Sequence, residues 1–334
     1  MKRLLLVVAI ALFPVALAAQ VPDRDVLVTP DGTLYTIEAV YDNGSHLSLT
    51  IQRGSQKTET VVPASLVPGR HWRPALAYDN DSATLFVFWI HSPDLSSELL
   101  LSSYSNGTWS APVSFDPAQY DVRSNLQIGI TRKVSTLQSD GTYADTSGLL
   151  IHAIWWQQSG SGEYARYALF NVVNGQINSI ELHNLDDFAP NGPMFPYDVD
   201  ANFNPEILRH PAFVDNGTQD SIDVVYGDVH NNDFVRVRVK PILAEGRIHI
   251  PIGAHPGGPS IPVAKSFTAP WTGSITLITS PHNDGGMLLY NATATAVNYI
   301  VYSNGTWSTV KLVPLSDKLT ADAAVAALTR MLSQ

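Results

Sequence analysis

The heptapeptide YSNGTWS recurs in this chain, at Tyr104–Ser110 and again at Tyr302–Ser308. Each copy follows one apolar run and precedes another, so Asn-Gly stands between two segments of high strand propensity. Asn-Gly is the dipeptide that the tight turn of a β-hairpin prefers, because both residues tolerate a positive φ. The repeat therefore predicts two equivalent β-hairpins far apart in the sequence, and with them a repeated β-unit.

Outward from these hairpins, a unit of four short strands joined by turns recurs along the chain. The units are expected at residues 25–66, 73–115, 123–182, 209–253 and 273–314. The fourth unit is expected to close through the turn at Glu245-Gly246. Four strands per repeat are typical of the blade of a β-propeller. We therefore predict an all-β propeller of about five four-stranded blades, with six as the alternative count; the alternative architecture is a β-sandwich followed by a second β-domain.

The two ends of the chain differ from these repeats. Lys2 and Arg3 precede an apolar run, and Ala16-Leu17-Ala18 fits the small-x-small pattern of a signal-peptide cleavage site. We expect residues 1–18 to be a signal peptide, residues 19–316 a single propeller domain, and residues 317–334 a C-terminal helix. The product is then expected in a periplasm or outside the cell; a membrane anchor at the N-terminus is the alternative.

Composition excludes several classes of protein. The chain has 334 residues, a formal net charge of -10, 15% charged residues and no cysteine. Disulfide scaffolds, thiol catalysis and zinc–thiolate sites all need cysteine. The acidic balance argues against a nucleic-acid binder that neutralises phosphates. Nucleic acid is therefore not an expected partner, and no later stretch is apolar enough for a membrane span. A glycan or an extracellular protein is the partner expected of a secreted propeller.

A propeller predicts where a ligand would bind. The loops that lead into each innermost strand and those that leave each second strand lie on one face around the axis, which we call the mouth. Alignment of the units places an arginine at four strand starts and polar or aromatic residues at the strand ends. The candidate ligand-binding residues are Arg24, Arg73, Arg123 and Arg209 at the starts and Trp89, His91, Trp156, Tyr226 and Asp228 at the ends.

These residue types favour a glycan, and an anionic one in particular. A guanidinium group presents a planar fork that matches a carboxylate or sulfate, and aromatic rings stack on the apolar face of a sugar. The alternative interpretation is that each arginine ties one blade to the next and that the tryptophans belong to the core. Glu38 and Asp228 could form an acid/base pair across the mouth, but only their separation would distinguish glycosidase mechanisms.

A second group of candidate ligands lies between the third and fourth units. Oxygen-bearing side chains alternate along this segment, at Asp198, Asp200, Asn202, Asn204 and Glu206. In an extended segment they would project to one side, and hard oxygen donors suit Ca²⁺. Phe203 replaces the glycine that a helix-loop-helix calcium loop needs, so that standard loop is excluded. Calcium is the one cofactor that the sequence suggests, and turns rich in Asn and Asp without metal are the alternative.

The hairpin Ser103–Trp109 and the rhythm of the strands resemble the sialidase-like propellers, which include bacterial neuraminidase-repeat proteins and fucose-binding lectins. Blades of that group carry Ser-x-Asp-x-Gly-x-x-Trp, whereas this hairpin is one residue shorter and lacks the aspartate. The early Arg-Ile-Pro motif of the enzymes is missing, so no catalytic residue is carried over. The resemblance implies a glycan-binding propeller. An exo-acting glycoside hydrolase of the sialidase-like kind and a purely structural or interaction propeller are the alternatives.

Overall fold

The computed structural model describes most of the chain between residues 23 and 332. The described ranges are 23–42, 44–94, 96–119, 122–159, 162–173, 175–184, 212–214, 222–228, 233–244, 247–249, 261–262, 275–279, 287–303, 306–316 and 319–332. Within them the chain forms five mainly antiparallel sheets, each built largely from consecutive strands, and one C-terminal helix. The predicted signal peptide and the predicted calcium segment lie outside the described residues.

Sheets 1 and 2 follow each other directly. Sheet 1 contains β1 (Arg24–Val28), β2 (Leu34–Val40), β3 (His46–Arg53) and β4 (Gln56–Val61), paired in chain order. A 3-10 turn at Pro63–Leu66 leads into sheet 2. Sheet 2 contains β5 (Arg70–Asp79), β6 (Thr84–Ser92), β7 (Ser96–Ser105) and β8 (Thr108–Trp109), with β9 (Val113–Gln119) also paired to β7.

The strands of the fourth unit are divided between sheets 3 and 4, which the repeat does not predict. Sheet 3 begins with β10 (Val122–Leu137), β11 (Tyr143–Ser159), β12 (Gly162–Val173) and β13 (Gln176–Asn184). Sheet 4 begins with β14 (Ala212–Val214), β15 (Ile222–Asp228) and β16 (Asp233–Val239). The hairpin of β17 (Ile242–Ala244) and β18 (Arg247–His249) then returns to sheet 3, and β19 (Ile261–Pro262) completes sheet 4.

The expected closure of the fourth unit by its own hairpin is therefore wrong. β17 pairs in parallel with β10, with Ser135 opposite Ile242. The reason is the length of β10: its last residues extend beyond the blade and leave a free backbone edge. The Ser135 N–H, for example, donates to the Pro241 carbonyl at 3.3 Å. An unpaired strand edge attracts another strand.

Sheet 5 carries the second copy of the repeat. It contains β20 (Ile275–Thr279), β21 (Met287–Ala292), β22 (Ala296–Ser303), β23 (Thr306–Trp307) and β24 (Lys311–Pro314). The β22–β23 hairpin has the register of the β7–β8 hairpin, because Tyr302 faces Trp307 as Tyr104 faces Trp109. The two predicted hairpins are confirmed.

A serine at the equivalent position of each hairpin makes the same hydrogen bonds. The Ser110 hydroxyl accepts the N–H of Ser103 at 2.9 Å, and the Ser308 hydroxyl accepts the N–H of Val301 at 3.1 Å. Each serine N–H also donates back to the carbonyl of the same partner at 2.8 Å. The heptapeptide thus repeats a local hydrogen-bond pattern as well as a sequence.

The first strands of the sheets pack on one another in chain order, as in a propeller. β1 contacts β5, β5 contacts β10, β10 contacts β14, and β14 contacts β20. Apolar side chains fill the space between successive sheets; Trp155 of sheet 3, for example, lies edge-on to Phe88 of sheet 2 with centroids 6.1 Å apart. The all-β propeller is therefore confirmed, with five sheets in the part of the chain that the structure describes.

The predicted C-terminal helix is also confirmed, as α1 (Ala321–Leu332). It packs against β1, β21 and β22. Val26 of sheet 1 and Tyr290 of sheet 5 belong to the same apolar cluster as Val325 and Leu328 of the helix. The helix thus joins the first sheet to the fifth. No helix in the described ranges combines the length and the apolar character needed to cross a membrane.

Candidate functional site

The strand registers place the predicted mouth at one end of the sheets. Arg24 at the start of β1 faces Glu38 in β2, and Arg70 at the start of β5 faces Ser92 at the end of β6. Sheet 3 follows the same rule, because Arg123 of β10 faces Gln157 near the end of β11. In each of these three sheets the start of the first strand therefore lies beside the end of the second strand.

Charged and aromatic residues of sheets 1 and 2 form a group at this face. We call it the mouth cluster, and it consists of Asp23, Tyr41, Arg70, Trp72 and Arg73. The Arg70 guanidinium carbon lies 4.4 Å from the Trp72 ring centroid and 5.8 Å from that of Tyr41. The Arg73 guanidinium carbon lies 5.7 Å from the Trp72 ring. Two cations therefore stack over one half-buried indole, where cation–π attraction holds them.

Hydrogen bonds and charge join the rest of the mouth cluster. The Tyr41 hydroxyl donates to Asp23 Oδ2 at 3.2 Å, and Arg73 Nε lies 3.7 Å from Asp23 Oδ1. Burial and the Asp23 carboxylate raise the pKa of Tyr41, so its hydroxyl remains a donor. Trp72 Nε1 has no hydrogen-bond partner among the described residues. The cluster therefore offers the exposed guanidinium group of Arg70 and the half-buried one of Arg73, whereas the indole nitrogen of Trp72 is enclosed.

A β-bulge shapes this part of β5. The pairing of β5 with β6 is interrupted between Trp72 and Ala75, and Arg73 within it has a positive φ of 51°. A positive φ is uncommon for a residue with a side chain, and bulges redirect side chains near functional sites. The bulge gives Arg73 a direction that regular strand alternation would not give it.

The structure separates the predicted ligand-binding residues into surface and interior. Arg24 and Arg73 are half-buried at the mouth. Arg123 is fully buried; it donates to Asp116 Oδ2 at 3.0 Å and to the Ser97 carbonyl at 3.4 Å, and so ties sheet 3 to sheet 2. A guanidinium without exposure cannot reach a ligand in this arrangement. For Arg123 the geometry matches the tie between blades that was the alternative interpretation.

The predicted aromatic residues are interior as well. Trp89 and Trp156 are 0% and 3% exposed, so neither offers a stacking surface at the mouth. His91 is 6% exposed and hydrogen-bonded.

Tyr226 and Asp228 lie in β15, but their side chains are outside the described set, as is Arg209. The proposed Glu38–Asp228 pair and the calcium segment 198–206 remain predictions. Elsewhere, the described residues include no group of three or more His, Asp and Glu that could hold a metal.

Behind the mouth cluster, His71 and His91 stack in parallel, with centroids 4.4 Å apart and ring planes at 8°. We call this pair the histidine stack. The Trp89 indole N–H donates to His71 Nδ1 at 3.1 Å, so the His71 proton resides on Nε2, which donates to the Val67 carbonyl at 3.1 Å. His71 is therefore held as a neutral ring with one defined tautomer.

The other ring of the stack faces acceptors at both nitrogens. His91 Nε2 lies 3.1 Å from the Pro68 carbonyl, and Nδ1 lies 2.8 Å from Glu98 Oε1. Partial burial raises the pKa of Glu98, but hydrogen bonds from Ser114 and His91 outweigh it and hold that pKa below its ordinary value. The two ring nitrogens of His91 thus connect the Pro68 carbonyl of the incoming segment to the Glu98 carboxylate of β7.

Asp25 is the acidic residue at the junction of β1 and β5. Its oxygens accept the N–H groups of Val26 and Leu76, each at 2.8 Å. Burial raises the pKa of Asp25 to about 6 in spite of these two hydrogen bonds. Both oxygens are thus occupied by backbone groups, and the bond from Leu76 connects sheet 1 to sheet 2.

Sequence reasoning missed the residues that dominate the mouth. Arg70 and Trp72 stand two residues apart in Arg70-His71-Trp72-Arg73, and in a strand such residues lie on the same face. That spacing was a usable signal. Tyr41 carried none, because its contact with Arg70 depends on how sheets 1 and 2 pack.

The fold and the mouth cluster define a β-propeller with an arginine–aromatic surface at one face. The sequence matches no protein-family model and no curated protein. Among solved structures, the chain is similar to the six-bladed fucose-recognising lectin of Aleuria aurantia, at 12% identity and a TM-score of 0.41 over 89% of this chain and 79% of the lectin.

Two further solved structures have similarly low sequence identity to this chain. The BP39L lectin from Burkholderia pseudomallei shares 12% identity, with a TM-score of 0.39 over 85% of this chain and 81% of that one. The intramolecular trans-sialidase from Ruminococcus gnavus shares 11% identity, with a TM-score of 0.29 over 88% of this chain and 70% of that one. At such identities no residue of these proteins is matched to a residue of this chain.

Proposed function

We propose that this protein is a secreted, non-catalytic propeller that binds an anionic glycan at its mouth. The observation that carries the proposal is the stacking of Arg70 and Arg73 over the ring of Trp72 at the junction of sheets 1 and 2. Secretion is supported by the signal-peptide pattern of residues 1–18.

The chemistry of the mouth cluster fits such a ligand. The exposed Arg70 offers paired N–H donors to a carboxylate or sulfate, and its contact with Trp72 keeps the guanidinium plane ordered before binding. Tyr41, 49% exposed, adds an aromatic surface beside it.

The surroundings of the acids favour binding over hydrolysis. A glycosidase needs one carboxylic acid that donates a proton and a second carboxylate that acts as base or nucleophile. Asp23 is engaged by Tyr41 and Arg73, and Asp25 accepts two backbone N–H groups. Neither is presented as a free group facing a substrate.

One observation favours a hydrolase as the second candidate. The pKa of Asp25, raised to about 6 by burial, is suited to a general acid near neutral pH. Its hydrogen bonds to the backbone explain the same residue as a structural link between sheets.

A panel of fluorogenic glycosides, incubated with the mature protein, separates these two functions. The proposal predicts no release of fluorophore above that of an Asp25→Asn variant, together with retention of acidic glycans on an array. Turnover that disappears in Asp25→Asn would replace the binding function with the hydrolase.

A further inference from the structure

The histidine stack lies directly behind the mouth cluster. His71 is placed between Arg70 and Trp72 in β5, so any movement of its backbone moves both of those residues. Its ring is fully buried, whereas Arg70 is exposed and Trp72 half-buried. The mouth surface and the stack are therefore two sides of the same stretch of strand.

The stack and its neighbours fix this stretch at several points. The Ser45 hydroxyl, in the loop between β2 and β3, accepts the N–H of His71 at 2.8 Å and donates to its carbonyl at 2.7 Å. The imidazole of His71 binds the Val67 carbonyl, and that of His91 binds the Pro68 carbonyl. The two rings thus hold the segment Val67–Gly69, which leads into β5, on one side, and Ser45 holds β5 to sheet 1 on the other.

Charged groups reach His71 from three other strands. His91 comes from β6, Glu98 from β7, and His46 from β3, where His46 Nδ1 lies 3.7 Å from an Asp42 oxygen. Arg70 and Arg73 are the cations on its own strand. Burial lowers the pKa of His71 below its ordinary value. The hydrogen bond to the Val67 carbonyl opposes this effect in part, and the electrostatic interaction with His91 adds to it. The folded protein therefore resists protonation of this ring.

Protonation of His71 would break its contacts. A proton on Nδ1 would point at the Trp89 N–H, so that two donors would face each other across 3.1 Å. It would also place a charged ring face to face with the His91 ring at a centroid distance of 4.4 Å. The Glu98 oxygens are occupied by His91 and Ser114, so that carboxylate does not accept a bond from His71.

We propose that the histidine stack is a pH-sensitive latch, which holds Val67–Trp72 in the arrangement that forms the mouth cluster and opens when His71 is protonated. The latch itself follows from the contacts of His71. Its consequence for ligand binding rests on the proposed function, and is that an acidic glycan binds at neutral pH and is released in mild acid.

Hydrogen exchange tests the latch without any ligand. The backbone amides of residue 67 and residues 69–72 are followed in the mature protein at pH 7 and pH 5, with intrinsic exchange rates corrected at each pH. Protection is expected to be lower at pH 5 than at pH 7, because a ring whose pKa is lower in the closed form than in the open form favours opening as the pH falls. Equal protection at the two values would overturn the latch.

Two variants assign the effect to His71. His71→Asn keeps an oxygen that can accept the Trp89 N–H but does not titrate, so its protection should be the same at pH 7 and pH 5. His46→Asn removes a neighbouring histidine outside the stack and should keep the wild-type response. A fall of the same size in His71→Asn would assign the opening to another group and refute the proposal.

A measurement on the unmodified protein covers the case in which His71→Asn does not fold. The indole N–H resonance of Trp89, assigned by its loss in Trp89→Phe, should titrate between pH 7 and pH 5 as its acceptor is protonated. A resonance that stays constant through this range means that His71 keeps its neutral form, and contradicts the latch.

Binding is measured with heparin and with polygalacturonate, whose sulfate and carboxylate charges change little between pH 7 and pH 5. Affinity should fall at pH 5 in proportion to the fraction of molecules whose latch is open, although a general electrostatic attraction to a less acidic protein would make it rise. A rise at pH 5 would overturn the link to binding. Absence of binding at both values would count against the proposed function, and the exchange data would then decide the latch alone.

Discussion

Gly69 lies beside the His91 ring of the histidine stack. Its φ is +135°, and a Cβ at this position would lie 2.5 Å from His91 Nε2 and 3.0 Å from the Pro93 backbone. We expect Gly69→Ala to lower the free energy of unfolding by about 3 kcal/mol, because backbone strain and a steric clash add together.

Gly54→Ala is the matched control for Gly69→Ala. Gly54 also has a positive φ, +58°, but a Cβ there would meet nothing within 4 Å. We therefore expect Gly54→Ala to lower the free energy of unfolding by only about 1 kcal/mol, from backbone strain alone. Urea denaturation of both variants measures the difference, and equal losses would show that the close approach to His91 carries no energetic weight.

His152 gives a pH dependence of stability. Burial lowers its pKa to about 3, and the neutral ring contacts the hydroxyls of Thr131 and Tyr167, each at 2.8 Å. The unfolded chain, with the ordinary pKa near 6.5, binds the proton more readily between those values. The contribution of this residue is therefore complete above about pH 6.5 and is lost progressively as the pH falls towards 3.

The comparison of wild type with His152→Gln isolates this contribution. The stability advantage of the wild type should shrink by about 2 kcal/mol between pH 6.5 and pH 5. Urea denaturation at both values measures it. An advantage that stays constant, or grows in acid, would contradict the buried neutral state of the ring.

Sequence could place residues at the mouth but could not tell which of them are exposed. Arg73 and Arg123 occupy corresponding positions in successive units, yet Arg123 is closed off by Asp116 and the Ser97 carbonyl. Asp116 itself has a positive φ of 47°. Such a partner comes from the packing of neighbouring sheets, which a single repeat does not encode.

At the scale of the element, the repeated hairpins make a paired prediction. Ser110→Ala removes the acceptor of the Ser103 N–H, and Ser308→Ala removes the acceptor of the Val301 N–H. Each should cost about 1 kcal/mol, the value of an ordinary hydrogen bond. Thermal or urea unfolding of the two variants compares them. If one variant is as stable as the wild type and the other is not, the two hairpins share a sequence but not the same stabilising hydrogen bond.

Elements were predictable where the signal was local. Asn-Gly turns located both hairpins, since the preference for positive φ resides in the turn residues themselves. The β17–β18 hairpin was also expected from its turn, but its partner was not. That partner is decided by the free edge of β10 at Ser135 and Thr136, a contact over a long stretch of chain.

At the scale of the whole molecule, helix α1 connects the two ends of the series of sheets. Leu328 is 6% exposed within the cluster shared by β1 and β21, whereas Ala327 is exposed. Leu328→Asp should lower the free energy of unfolding by more than about 3 kcal/mol, because it removes a buried side chain and buries a charge. Ala327→Asp should change it by less than about 0.5 kcal/mol.

Thermal unfolding of these helix variants, followed by circular dichroism at the wavelength of β-structure, tests the role of the helix. A large loss in Leu328→Asp would show that the sheets depend on it. Sheets that melt at the wild-type temperature in both variants would contradict that role.

The sequence predicted the architecture of the whole molecule better than its surface. The repeat was enough for the propeller, and the C-terminal helix followed from its composition. The mouth cluster required the three-dimensional packing of Tyr41 on Arg70, because these residues belong to different sheets.

An array of acidic glycans, probed with three proteins, tests the central claim most directly. The first is the wild type, and the second is the mouth variant Arg70→Gln/Arg73→Gln. The third is the control variant Arg53→Gln/Lys57→Gln, which removes the same charge from exposed positions beside the β3–β4 turn. We predict that the mouth variant loses at least about a hundredfold in affinity, as expected for two charge-assisted hydrogen bonds, while the control stays within about threefold of wild type. Equal losses in the two variants, or no binding of any acidic glycan by the wild type, would contradict the account.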